Sequence, residues 1–170
     1  MSKAFTREEN EGPDLPEVAP LTSALPPGAR NYMTRAGADR LRAELADLVE
    51  TKRPQVAAAT DDPETKRRLS MLDQRIFQIE QSLQTVEVIT PPEGPPTTVT
   101  FGATITVHEP NGETATYRIV GVDETDLDRG WVSWISPIAR ALMNSSVGQR
   151  VRFKFPSGEE ELEILGISYE

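Results

Sequence analysis

Two different apolar periods meet at one cluster of prolines, and that junction restricts the fold more than any bulk property of the chain. Before Pro91, Pro92, Gly94, Pro95 and Pro96, apolar side chains recur every three or four residues; beyond them they recur every second residue. Ala38, Leu41, Leu45 and Leu48 lie on one face of a first helix, which Thr34 is placed to cap. Pro54 interrupts this helix and is expected to bend it. A second run follows the turn Thr60-Asp61-Asp62-Pro63, in which Asp62 suits an N-cap and Pro63 the first helical position. Leu69, Leu72, Ile76, Ile79, Leu83 and Val86 are spaced as a heptad seam. Two such stripes joined by a short polar turn predict an antiparallel helical hairpin packed as a coiled coil, roughly 35–40 Å long.

Past the prolines, Val99, Phe101, Ala103, Ile105 and Val107 alternate, and Asn111-Gly112 supplies a hairpin turn. Tyr117 and Ile119, Trp131–Ile135, the Val151/Phe153/Phe155 alternation and Leu162–Ile167 read as further strands, with Ser157-Gly158 as a turn and Pro137–Met143 as a short helix. The fold class is therefore α+β: a helical hairpin, then a small domain built on an antiparallel sheet. The expected organisation is a flexible acidic, proline-rich tail over 1–31, an arm over 32–89, a linker over 90–97 and a sheet domain over 98–170.

Composition removes several function classes. The chain of 170 residues has no cysteine and a single histidine, His108, so disulfides, thiol catalysis, zinc–cysteine sites and multi-histidine metal sites are excluded. It has no apolar stretch near the ~20 residues that cross a bilayer, and the first thirty residues lack the apolar core of a secretory signal; a cytoplasmic protein is expected. Of the net charge of −9, most lies after residue 86, where 13 acidic residues face 6 basic ones. Such a surface repels a phosphate backbone, so sequence-specific DNA binding is disfavoured and a protein partner is expected.

The order of hairpin, proline-rich hinge and small sheet domain resembles the bacterial GreA/GreB family of transcript cleavage factors. The residues that carry the resemblance are Thr34–Leu45 (T-R-A-G-A-D-R-L-R-A-E-L) with Arg53-Pro54, the Val99–Val107 alternation, Tyr117–Gly121 with Asp123-Glu124, and above all Ser136–Leu142 (S-P-I-A-R-A-L). The resemblance spans about residues 32–168. It implies an FKBP-like C-terminal domain that docks on the rim of the secondary channel of RNA polymerase, while the hairpin reaches toward the catalytic magnesium. Tip carboxylates in the family help hold a second Mg²⁺ at the polymerase's own site, where two metals stabilise attacking and leaving oxygens. The factor is then no enzyme in itself. It carries no intrinsic metal or cofactor, shares Mg²⁺ with the polymerase, and meets the nascent RNA 3′ end only indirectly. Asp123, Glu124, Ser136, Pro137, Ile138, Ala139, Arg140 and Leu142 are the partner-binding residues that the resemblance implies.

At the tip this chain departs from the family pattern. Against the family's arm it is short by about a dozen residues, which removes roughly 10 Å of reach. Asp61, Asp62 and Glu64 remain as candidate metal-assisting carboxylates, with a D-x-x-E spacing; the same acids also suit helix capping. Magnesium–oxygen bonds of about 2.1 Å tolerate little displacement, so a regulator with weak or absent cleavage is favoured over a true cleavage factor. Lys66, Arg67 and Arg68 are candidates for RNA or channel contact, or simply a solvated basic face. Arg140 is expected either to fork onto a partner carboxylate or to form an ion pair within its own domain. Of Trp131 and Trp134, one is expected in the core and the other at the surface; His108 is expected exposed. Two remote alternatives are a prolyl isomerase and a coiled-coil adaptor that dimerises through its hairpin. An arm whose seam is filled by its own second helix predicts a monomer.

Overall fold

The computed structural model describes residues 25–169. Most of the expected tail lies outside the described residues. Asn31, assigned to that tail, instead opens strand β1 (Asn31–Thr34). It is buried, and its Nδ2 donates to the Ser82 carbonyl at 3.0 Å and the Thr85 hydroxyl at 3.2 Å, so the polar side chain is held in place by the far helix.

Thr34 caps α1 (Arg35–Asp47), its hydroxyl accepting from the Gly37 N–H at 3.0 Å. The irregularity expected at Pro54 begins one turn earlier. Leu48–Lys52 widen into a π-helical turn, and Pro54 sits just inside α2 (Arg53–Ala57). A proline ring crowds the carbonyl four residues back, here that of Glu50, and a π turn opens that space without ending the helix. After the turn, Asp62 caps α3 (Pro63–Thr85) by accepting from Thr65 N–H at 2.8 Å. The two helical runs pack through Leu41, Leu45, Leu48, Leu72, Ile76, Ile79 and Leu83. Glu44–Arg75 (2.7 Å) and Arg53–Asp73 (2.6 Å) bridge their flanks, but solvent screens such exposed pairs, so the apolar seam holds the helices together. The 23 residues of α3 span about 34 Å.

The heptad reading carried the helix through Val86. The helix ends at Thr85, and Val86–Ile89 form β2, which pairs in parallel with β1 from Asn31↔Val86 to Thr34↔Ile89. Strand alternation gives this ribbon two working faces. Met33, Val86 and Val88 pack into the helical core, whereas Tyr32 and Ile89 pack into the core of the sheet domain. Tyr32 lies 4.8 Å from Trp134 and 5.8 Å from Phe101, ring centre to ring centre.

Residues 90–97 are irregular and exposed. The sheet that follows contains β3 (Thr104–His108), β4 (Thr114–Val120), β5 (Trp131–Ser133), β6 (Arg150–Phe155) and β7 (Gly158–Ser168), in the order β5-β4-β3-β7-β6. Its antiparallel character is corrected at one edge: β5 runs parallel to β4, which makes the sheet mixed. The chain leaves β4 through two 3₁₀ turns, Val122–Glu124 and Leu127–Arg129, and re-enters in the original direction instead of folding back as a hairpin. Gly130, at φ 72°, turns the chain where a Cβ would lie 2.4 Å from the Thr116 carbonyl oxygen. The expected Trp131–Ile135 strand is thus only three residues long. The Val99–Val107 alternation holds for burial throughout, although regular pairing begins only at Thr104. Helix α4 (Pro137–Leu142), capped by Ser136, lays Ala139 and Leu142 onto Ile105, Ile119, Leu162 and Ile164. Among the described residues, no helix is long and apolar enough to cross a membrane.

Candidate functional site

Local chemistry at the free end of the helical pair engages each of the three tip acids. Asp61 faces Lys66 at 3.0 Å, and Glu64 pairs with Arg68 at 2.7 Å one turn along α3. Asp62 holds both the amide and the hydroxyl of Thr65. The Thr65 amide hydrogen bond holds the Asp62 carboxyl below its ordinary value of 3.8, with smaller help from the Thr65 hydroxyl. Asp61 and Glu64 remain accessible, with side chains 84% and 72% exposed. Their pairings are therefore exchangeable, whereas the Asp62 bonds hold the turn. Among the described residues no three acidic or histidine side chains converge as a ready metal cage. Arg67 is exposed and has no ion pair among the described residues.

The second group of expected site residues lies at the other end of the molecule, around α4. Pro137 and Arg140 are exposed and Ile138 is half-buried, so these three present a small apolar and cationic face. Arg140 has no ion pair among the described residues, which leaves its fork of donors turned to solvent. Ala139 and Leu142 are corrected as contact residues: both are fully buried against the sheet and serve to hold α4 in place. Ser136 is the α4 cap, accepting from Ala139 N–H at 3.3 Å.

Of Asp123 and Glu124, both expected on a docking surface, Asp123 is exposed and Glu124 is not. Asp123 accepts from the Ser82 hydroxyl, joining the sheet domain to α3. Glu124 is only 8% exposed, so as a direct partner contact it is corrected. Its carboxylate accepts from Thr34 N–H at 2.9 Å, from the Thr34 hydroxyl, and from Gly121 N–H at 3.0 Å, with Arg40 at 3.6 Å. Four donors compensate the burial of a charged group. Arg40 also lies over the Trp131 ring at 5.1 Å, in company with Arg118 at 5.2 Å and Arg129 at 5.3 Å. The expectation of one core and one surface tryptophan is corrected: both are half-buried, Trp134 packed against the sheet-domain core and Trp131 under the three guanidinium groups, while His108 is exposed at the end of β3.

This elbow is the part that sequence reasoning missed. A faint signal existed: Gly37 stands third in α1, where a capping box would place Glu and where glycine costs roughly 1 kcal/mol against alanine. The structure supplies the reason, because a Cβ on Gly37 would lie 2.0 Å from Glu124 Oε1.

Residues 94–169 match the family described as "Transcription elongation factor, GreA/GreB, C-term". A transcription elongation factor GreB of Neisseria meningitidis serogroup B is 36% identical over 154 aligned positions, covering 82% of this chain and 94% of that protein. A transcription elongation factor GreA of Verminephrobacter eiseniae is 36% identical over 152 positions, covering 81% and 96%. Since 82% of 170 residues is about 139, about fifteen of the 154 positions shared with the Neisseria protein have no residue in this chain. Among solved structures, a prokaryotic elongation factor GreA/GreB from Nitrosomonas europaea is similar at 22% identity, covering 83% of this chain and 99% of that one with a TM-score of 0.41.

Proposed function

Because this chain belongs to the GreA/GreB family, we propose that it is a transcription elongation regulator acting on bacterial RNA polymerase with a shortened arm. The sheet domain, FKBP-like in this reading, docks at the rim of the secondary channel through Pro137, Ile138 and Arg140. The arm enters the channel toward the catalytic Mg²⁺. The protein is no enzyme in itself; any hydrolysis belongs to the polymerase, and any Mg²⁺ at the tip is shared with it. Binding to the polymerase also accounts for a strongly acidic chain without a duplex-binding surface, and implies a cytoplasmic location.

The observation that carries the regulatory reading is the state of the tip. Asp61 and Glu64 each have a basic neighbour, and Asp62 is bonded to the backbone of its own helix. The six charged side chains of the tip, Asp61, Asp62, Glu64, Lys66, Arg67 and Arg68, sum to zero. An uncompensated carboxylate pair attracts a divalent ion; a neutralised one does so weakly. This supports an arm that occupies the channel without assembling a second metal site.

RNA shortening in stalled, backtracked complexes tests this. Wild-type protein is expected to leave the RNA length unchanged, and Asp61→Ala/Glu64→Ala to behave the same. Rapid shortening by wild type that the double variant abolishes would establish the second reading, a true cleavage factor, which the exposure of Asp61 and Glu64 keeps in view. Docking is tested separately by retention on polymerase, where Arg140→Ala and Ile138→Asp are each expected to weaken binding; retention of both at the wild-type level would overturn the α4 face.

A further inference from the structure

We infer that Glu124 is a positioning residue that sets the angle at which the helical arm leaves the sheet domain. In a capping box, the third residue of a helix sends a carboxylate back to the amide of the cap residue. Here Thr34 caps α1, the third residue is Gly37, and the carboxylate that reaches the Thr34 amide comes from Glu124, ninety positions away in the other half of the molecule. Glu124 performs the same task at home, closing its own 3₁₀ turn by accepting from Gly121 N–H. One carboxylate thus starts two helical turns, one in each part, and Oε2 receives both backbone amides, at 2.9 and 3.0 Å.

The geometry leaves little room for another pose. Both glycines against the carboxylate are required: a Cβ on Gly37 would overlap Oε1, and one on Gly121 would lie 2.3 Å from the Tyr32 carbonyl oxygen and 3.0 Å from Glu124 Oε2. The carboxylate also sits at the positive end of α1, where a negative charge is stabilised and which has no acidic residue of its own in its first turn. Arg40, one turn further along α1, meets both Glu124 and the face of Trp131, adding a second contact between the same helix and the sheet domain. A hydrogen bond at a helix start is directional, so this clasp constrains the direction of the α1 axis, which apolar packing of Tyr32 alone does not. The consequence for delivery of the tip rests on the reading given above; the fixed angle does not depend on it.

The absence of cysteine allows the angle to be measured on the full chain, with spin labels on Thr60→Cys at the tip and Asn111→Cys at the β3–β4 turn. The wild-type background should give one narrow distance distribution and Glu124→Ala a broad one. Glu124→Gln keeps an oxygen for the two amides and should restore a narrow distribution. Hydrogen exchange supplies the control. In Glu124→Ala the amides of Thr34 and Gly121 should exchange about ten- to a hundredfold faster, the range for loss of a charge-assisted hydrogen bond, while those of Ile119 and Ile164 keep their protection. A distribution as narrow in Glu124→Ala as in wild type overturns the proposal. So does an equal loss of protection at Ile119 and Ile164, which would make Glu124 a general support of the fold. If the alanine variant does not accumulate, Arg40→Gln is the substitute, and an unbroadened distribution there overturns the proposal equally.

Discussion

Asp62 shows how one side chain at the tip is committed before any partner arrives. Its folded-state acidity is raised by the Thr65 amide, so the ionised form favours the folded cap. That stabilisation is complete above the ordinary carboxylate value of 3.8 and is lost as the pH falls through the lower, folded value. Protection of the Thr65 amide, corrected for its intrinsic exchange rate, should therefore decline as the pH is taken below 3.8, and Asp62→Ala should abolish it at neutral pH. Unchanged protection in that variant would mean that the turn holds without its cap. This residue was legible in advance, because Asp-Pro ahead of an apolar stripe is a local signal: the cap, the first-position proline and the helix lie within four residues. Glu124 was not legible, because its partners Thr34, Gly37 and Arg40 are more than eighty positions distant and the only hint was a glycine where a glutamate would be at home.

At the scale of elements, the same division between local and distant causes explains what the sequence shows. The stripes of α1 and α3 require only neighbours three and four apart, and both helices stand where the spacing puts them, save that α3 stops at Thr85 and yields Val86 to β2. The ribbon of β1 and β2 escaped notice because it is four residues long, half polar in its first strand, and stable only through what lies on either side of it. The parallel entry of β5 was hidden likewise, since direction depends on the path through two 3₁₀ turns and not on alternation. Ile79 tests the arm as an element: it is 1% exposed and central to the helical seam. Ile79→Ala should cost about 2–5 kcal/mol, read as an earlier loss of far-ultraviolet helicity on denaturation. Leu142→Ala, in the sheet-domain core, should first disturb the fluorescence of Trp134, which packs on that core. Indistinguishable transitions in the two variants would show one core where two are described.

For the whole molecule, a filled seam predicts a monomer: the heptad stripe of each helix faces the other helix of the same chain, and the large apolar side chains exposed on the arm, Val49, Met71 and Phe77, stand outside that seam. Sedimentation at micromolar concentration should give the mass of a single chain, 18.8 kDa; a tight dimer would instead favour an adaptor that pairs through its arm. The ribbon at the elbow has a further consequence for the modularity of the chain. The prolines at 91–96 look like a perforation between two separable pieces. Yet successive residues of β1 are keyed into different interiors, Tyr32 beside Trp134 and Phe101, Met33 beside Ile79 and Leu41. Severed at the perforation, the C-terminal piece would keep an empty aromatic socket and the N-terminal piece would carry the orphaned plug, so neither piece is complete alone.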